Sequence, residues 1–181
     1  MRKFIALLRG INVSGQKKIK MSDLKILFED LSFTNVQTYI QSGNVLFFND
    51  TTNKKSLREK IEKQIKEQFG YTVQVIIKTP GELGHALRNS PFLKDKKKNV
   101  ERIYFTFLSE KPIVANIIKL KEVDYLPEEY NLDGDTVCLF FPNGYGKAKM
   151  NNNFFEKKLN VFATTRNFKT VKTLFTLSKI I

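Results

Sequence analysis

The chain opens on a short apolar run, Phe4 to Leu8, in which both alternating sets are apolar: Phe4, Ala6 and Leu8 on one side, Ile5 and Leu7 on the other. A strand of that kind is covered on both faces. Gly10 to Lys20 reads as a loop. Leu24, Leu27, Phe28 and Leu31 then recur at helical spacing, with Ser22 placed to cap the helix. Val36 to Ile40 is a short strand, Gln41-Ser42-Gly43 turns the chain, and Asn44 to Phe48 returns as its hairpin partner. Lys54 to Phe69 carries Leu57, Ile61, Ile65 and Phe69 on one stripe, with Lys and Glu opposite, and so forms an amphipathic helix. Thr72 to Lys78 is a further strand. The order β-α-β-β-α-β is that of the ferredoxin-like unit.

The pattern partly repeats. Arg102 to Leu108 is a strand, Pro112 introduces a helix over Ile113 to Leu120, and a short strand is expected around Tyr130. Asp133-Gly134 is a hairpin signal before the strand Thr136 to Phe141, and Asn151 to Leu159 is a helix. Gly43 to Asn49 and Gly134 to Phe141 match in pattern with one extra residue. The fold class expected is α+β: tandem ferredoxin-like halves with mainly antiparallel sheets and an extra C-terminal helix. The join falls near Ser90 to Asn99, dividing the chain into residues 1–89 and a degenerate second half, residues 90–181. In that second half the last strand is expected to be replaced by an amphipathic helix, Asn167 to Ile181, built on Phe168, Val171, Leu174 and Phe175.

Composition narrows the chemistry. The 181 residues suit one large domain or two small ones, and a 41% hydrophobic fraction is enough for a core. The apolar run after Met1-Arg2-Lys3 spans five residues with no cleavage site, too short for a signal peptide. No run approaches the roughly 20 residues of a spanning helix. A cytoplasmic protein without membrane attachment is expected. One cysteine, Cys138, and one histidine, His85, cannot form a disulfide or a Cys/His zinc site, and no cofactor or metal is expected. Cys138 in an apolar strand reads as a buried small hydrophobe, and His85 as a surface or capping residue. Nucleophilic relays that need the pair are disfavoured.

Net charge is +13. A polyanion such as nucleic acid is the partner such a charge suits. Yet 25 Lys stand against 6 Arg, and AT-rich coding yields that bias without selection for binding. Three segments could hold an anion. In a β-α-β-β-α-β unit the end of the first strand lies beside the start of the third. This juxtaposes Arg9, Gly10 and Asn12 with Gln41, Ser42 and Asn44, a cluster suited either to turn chemistry or to a small polar ligand. The basic glycine loop with Gly144, Gly146 and Lys147 precedes a helix, but Phe141 and Ala148 exclude a phosphate-binding P-loop. Thr165, Arg166 and Asn167 stand at the start of the last helix, in a stretch from Lys157 to Ile181 with six bases and no acid. An acidic run, Glu122, Asp124, Glu128, Glu129, Asp133 and Asp135, has carboxylates at spacings that could hold Mg²⁺, but it reads rather as a solvated loop or the partner of a basic face, within the chain or across a homodimer.

Four segments, Ala6 to Val13, Tyr39 to Val45, Gly144-Tyr145-Gly146 and Ala163 to Asn167, resemble in order the bacterial domain-of-unknown-function family 1697. The resemblance implies a stand-alone bacterial protein of tandem ferredoxin-like fold and no established activity. The chain departs from the family pattern at Ser14 (glycine), Gln16 (histidine), Ala148 (serine) and Phe168 (tryptophan). The missing histidine removes a local base near Arg9, and the missing serine removes a hydroxyl from the glycine loop. Arg, Asn, Gln and Ser orient charge and do not readily move protons at neutral pH, which disfavours an enzyme. The reading is therefore non-catalytic binding of a polyanion or nucleic acid through basic loops. The alternative is binding or turnover of an anionic small metabolite at Arg9, Gln41 to Asn44 and Arg166.

Overall fold

A computed structural model describes residues 1–13 and 15–180; Ser14 and Ile181, which figure in the sequence reading, lie outside them. The chain divides into two compact units, Met1–Leu83 with Leu174–Ile181, and Gly84–Thr173.

The first unit holds β1 (Arg2–Leu8), α1 (Met21–Asp30), β2 (Thr34–Tyr39), β3 (Asn44–Asn49), α2 (Lys54–Phe69) and β4 (Val75–Lys78). Its sheet has the order β2-β3-β1-β4, and all of its pairings are antiparallel. The strands apolar on both sides, β1 and β3, take the centre, whereas the polar β2 takes an edge, where its outer groups meet water. Phe4, Ala6, Val45 and Phe47 pack with Leu24, Leu27 and Phe28 of α1 and Leu57, Ile61 and Ile65 of α2. Ile5, Leu7, Leu46 and Ile76 on the opposite face are also buried. α1 departs from expectation at its start: Lys20 is its cap without a side-chain bond, and Ser22 lies inside the helix, donating to Asp23.

α3 (Pro80–Asn89) leads from β4, and α4 (Pro91–Lys94) follows. The second unit repeats the plan with β5 (Ile103–Leu108), α5 (Val114–Lys121), β6 (Glu129–Asp133), β7 (Thr136–Phe140), α6 (Asn152–Leu159) and β8 (Ala163–Asn167) in the order β6-β7-β5-β8. The fold is thus α+β with tandem ferredoxin-like halves. One expectation is corrected. The second half keeps its last strand: β8 pairs antiparallel with β5 from Leu108↔Ala163 to Tyr104↔Asn167. Thr164-Thr165-Arg166 therefore sits in a strand, and α7 (Phe168–Ile180) begins only after it. Five residues carrying one apolar side chain look like a helix cap in sequence. Here Thr165 earns its strand place by bonding Thr106 of β5 (Oγ1···Oγ1 2.6 Å) and Asn152 (2.6 Å), contacts between residues far apart in the chain.

Where the first unit passes into α3, Glu82 gathers cations. Lys54 Nζ donates to both of its oxygens at 2.6 Å, Thr79 donates from its backbone and its hydroxyl, and the buried Lys78 lies 4.0 Å away. Burial alone would raise the Glu82 carboxyl, but Lys54, Thr79 and Lys78 together hold it below its ordinary 4.5. A depressed folded value stabilises fully above the unfolded value and is lost as pH falls through the folded one. In denaturant titrations, the stability difference between the native chain and Glu82→Gln should be constant above about pH 5.5 and shrink below about pH 4.5. A difference that stays constant down to about pH 3 would remove the ion cluster from the acid response.

Candidate functional site

At one end of the first sheet, the register Leu7↔Asn44 and the bond from Leu8 N–H to Gly43 O (2.8 Å) set the loop after β1 against the turn before β3. Arg9, Gly10, Asn12, Gln41, Ser42 and Asn44 are thereby brought together. Asn12 fastens the two segments. In a left-handed conformation (φ 55°), its amide donates to Ile19 O and to Gln41 O, both at 2.9 Å, and its oxygen accepts from Ile19 N–H. Asn44 is fully buried and donates to Tyr39 O (3.0 Å) and Ser42 Oγ (3.2 Å). Backbone N–H groups of Arg9 and Asn12 are bonded as well, to Gln74 O and Lys17 O. These amides build the loop. Ile40, β-branched and at φ 49°, holds a strained left-handed conformation in the same turn.

What the loop presents outward is cationic. Residues 9–20 contain Arg9, Lys17, Lys18 and Lys20 and no acid. Lys18 and Lys20 are exposed, and Lys17 is half-buried with its Nζ on Thr72 O (2.7 Å).

In the second unit, the other six candidate residues lie on the loop leaving β7 and on β8. Phe141 N–H bonds Arg102 O, and Gly144 (φ 80°) leaves room for the Arg102 guanidinium, whose Nη1 would lie 2.6 Å from a Cβ. Gly146 faces open space and Lys147 is exposed, in a single 3-10 turn, Tyr145–Lys147. Arg166 is buried, and its Nη1 donates to Thr164 Oγ1 (2.8 Å) and Thr165 O (2.9 Å). Asn167 accepts from Thr170 N–H (2.8 Å) and so caps α7. The strand conformation also removes the expected clash of Arg166 with that helix's dipole.

Cys138 and His85 are occupied. Cys138 is buried beside Ser90 (Sγ···Oγ 2.9 Å), and burial pushes its thiol up to about 11 against hydrogen bonds from Ser90 and Leu139. A thiol so raised is a poor nucleophile at neutral pH. His85 is exposed and pairs with Asp133 (2.8 Å). The acidic run is dispersed over the unit: Glu128 accepts from the N–H groups of Lys149 and Met150, and Glu129 pairs with Lys98. Sequence reading missed a concavity lined by Val100, Glu101, Phe168, Lys169 and Lys172. The basic stretch from Lys157 was a partial signal, but the opposite wall comes from a segment about 70 residues earlier, with no marker of its own.

The family described as "Protein of unknown function (DUF1697)" matches residues 1–137. Among solved structures, the chain is similar to the conserved bacterial protein SP0830 from Streptococcus pneumoniae, with a TM-score of 0.77 and 23% identity, covering 97% of this chain and 98% of that one. At that identity the likeness speaks for the fold alone. Among curated proteins no match is found. No helix of the described residues is long and apolar enough to cross a membrane.

Proposed function

Starting from a chain that belongs to the DUF1697 family, we propose that it is a non-catalytic binder of polyanions, nucleic acid in particular, and that it engages them through the basic loop after β1. The observation that carries this reading is the division of labour in that loop. The neutral amides of Asn12 and Asn44 are consumed by backbone carbonyls, while the exposed Lys18 and Lys20 make up its outer charge. A site that grips a small metabolite needs convergent, unspent polar groups. A site for a phosphate backbone needs cations on a firm support, which the Asn12 bonds supply. Both faces of each sheet are buried, so base stacking on an open sheet, as in RNA-recognition modules, is not the mode expected. Binding is electrostatic and tolerant of sequence.

Fluorescence anisotropy with labelled single- and double-stranded oligonucleotides over a salt series tests this. The dissociation constant expected at physiological salt is roughly 1–100 µM, with log affinity falling by about 0.9 per duplex phosphate contacted. Lys18→Ala with Lys20→Ala should lower that slope by about 2. No binding at low salt would mean that the +13 charge reflects codon bias, and the loop would then serve only to close the sheet end.

A further inference from the structure

We infer that the second unit carries a separate binding site for a mononucleotide, in the concavity between the 3-10 turn Val100–Arg102 and the first turns of α7. The space measures about 500 Å³ and is lined by Val100, Glu101, Asn167, Phe168, Lys169 and Thr173 together with Lys172. That size lies within the range of small-ligand sites.

Its walls divide by chemistry. Lys169 and Lys172, three residues apart on α7, project along one flank. Neither is paired with a carboxylate among the described residues. Two unneutralised ammonium groups one turn apart repel each other, and an anion between them relieves that repulsion. Phe168, half-buried with Lys172 Nζ 5.7 Å from its ring centre, and Val100, 45% exposed, supply an apolar floor of the kind a planar ring covers. Glu101 stands on the facing wall; its backbone N–H is held by Asn99 Oδ1 (2.9 Å), and its residue is exposed.

This combination selects among anions. Inorganic phosphate would use the lysine flank alone and meet repulsion from Glu101. A nucleoside would use the floor alone. A nucleotide uses all three: its phosphate meets Lys169 and Lys172, its base lies against Phe168 and Val100, and an exocyclic amino group donates to the Glu101 carboxylate. Bases with such a group, adenine, cytosine and guanine, fit better than uracil.

Calorimetric titration of the full chain with AMP, UMP, adenosine and inorganic phosphate tests the site. AMP should bind about tenfold more tightly than adenosine or phosphate, and UMP should be several-fold weaker than AMP. Lys169→Ala with Lys172→Ala should weaken AMP about tenfold or more, and Glu101→Gln should narrow the gap between AMP and UMP. AMP binding that is undetectable at about 10 mM, matched by phosphate alone, or unchanged in the double-lysine variant overturns the inference. Lys18→Ala with Lys20→Ala should leave AMP binding intact. Failure of oligonucleotide binding in the native chain with AMP still bound would therefore remove the loop reading alone, and the reverse pattern would remove only this site.

Discussion

Phe47→Ala should destabilise the first unit by about 4 kcal/mol, the largest loss we expect from any single truncation. Phe47 is fully buried in the middle of β3, and its ring lies 4.6 Å from Phe33, 5.4 Å from Phe28 and 5.8 Å from Phe4. Those partners come from α1, the segment before β2, and β1, so the ring joins three elements of one core. Truncation removes the transfer energy of the ring, leaves a cavity that a sheet and a helix cannot close, and breaks the aromatic pairs, each worth about 1 kcal/mol. Set against total stabilities of roughly 5–15 kcal/mol, this is enough to leave the unit marginal. Phe48, the next residue, lies on the other alternation, half-buried with Lys3 Nζ 4.9 Å from its ring centre. Phe48→Ala should cost only about 1 kcal/mol, because its surface is partly solvated before truncation. Amide exchange at β1 and β3 reads the unit locally. Equal losses at the two positions would contradict the packing assigned to them.

Gly43→Ala should cost about 3 kcal/mol, and for a different reason. The residue sits at φ 75°, which L side chains tolerate poorly. A methyl group there would lie 2.7 Å from Ile11 Cδ1 and 2.8 Å from Leu8 Cβ. The first atom can swing away, but the second is fixed by β1, whose Leu8 N–H bonds the carbonyl of Gly43 itself. Relief must come from separating the two segments, which are the ones that carry the basic loop. Gly10 supplies the control. It has a similar φ of 69° with nothing within 4 Å of an added methyl, so Gly10→Ala bears the strain alone, about 1 kcal/mol. The gap between the two variants in denaturant midpoint measures the steric part. If both lose the same stability, the close approach of Gly43 to Leu8 has no energetic weight. If the loop binds polyanions as proposed, Gly43→Ala should also weaken oligonucleotide binding more than Gly10→Ala does.

The ends of the sheets show how far residue pattern reaches. Placement of Arg9 beside Gln41 was legible because β-α-β-β-α-β order leaves the first and third strands adjacent and antiparallel, and the apolar residues on both alternations of Phe4 to Leu8 and of Asn44 to Phe48 mark the central strands. What the side chains do there was not legible. Asn12 and Asn44 are equally at home as ligand donors and as loop fasteners, and only the positions of Ile19 O, Gln41 O and Tyr39 O decide for the second. Arg166 is a similar case. In sequence it opposes a helix dipole; in the fold it belongs to β8, and its guanidinium turns back onto Thr164 and Thr165.

By itself, then, the sequence determined the α+β class, the repeat of the βαββαβ order, the central strands and the basic character of the loops. These follow from periodicity and charge, which are local properties of the chain. Tertiary structure alone decided that Thr164 to Asn167 is a strand, since Thr165 gains its partners Thr106 and Asn152 from distant segments. It also decided that the acids of residues 122–135 disperse onto separate partners, and that Val100 and Glu101 face Lys169 and Lys172 across a shared concavity. Each of those outcomes depends on which residues remote in sequence become neighbours, and the energies that choose among them arise only once the chain has closed on itself.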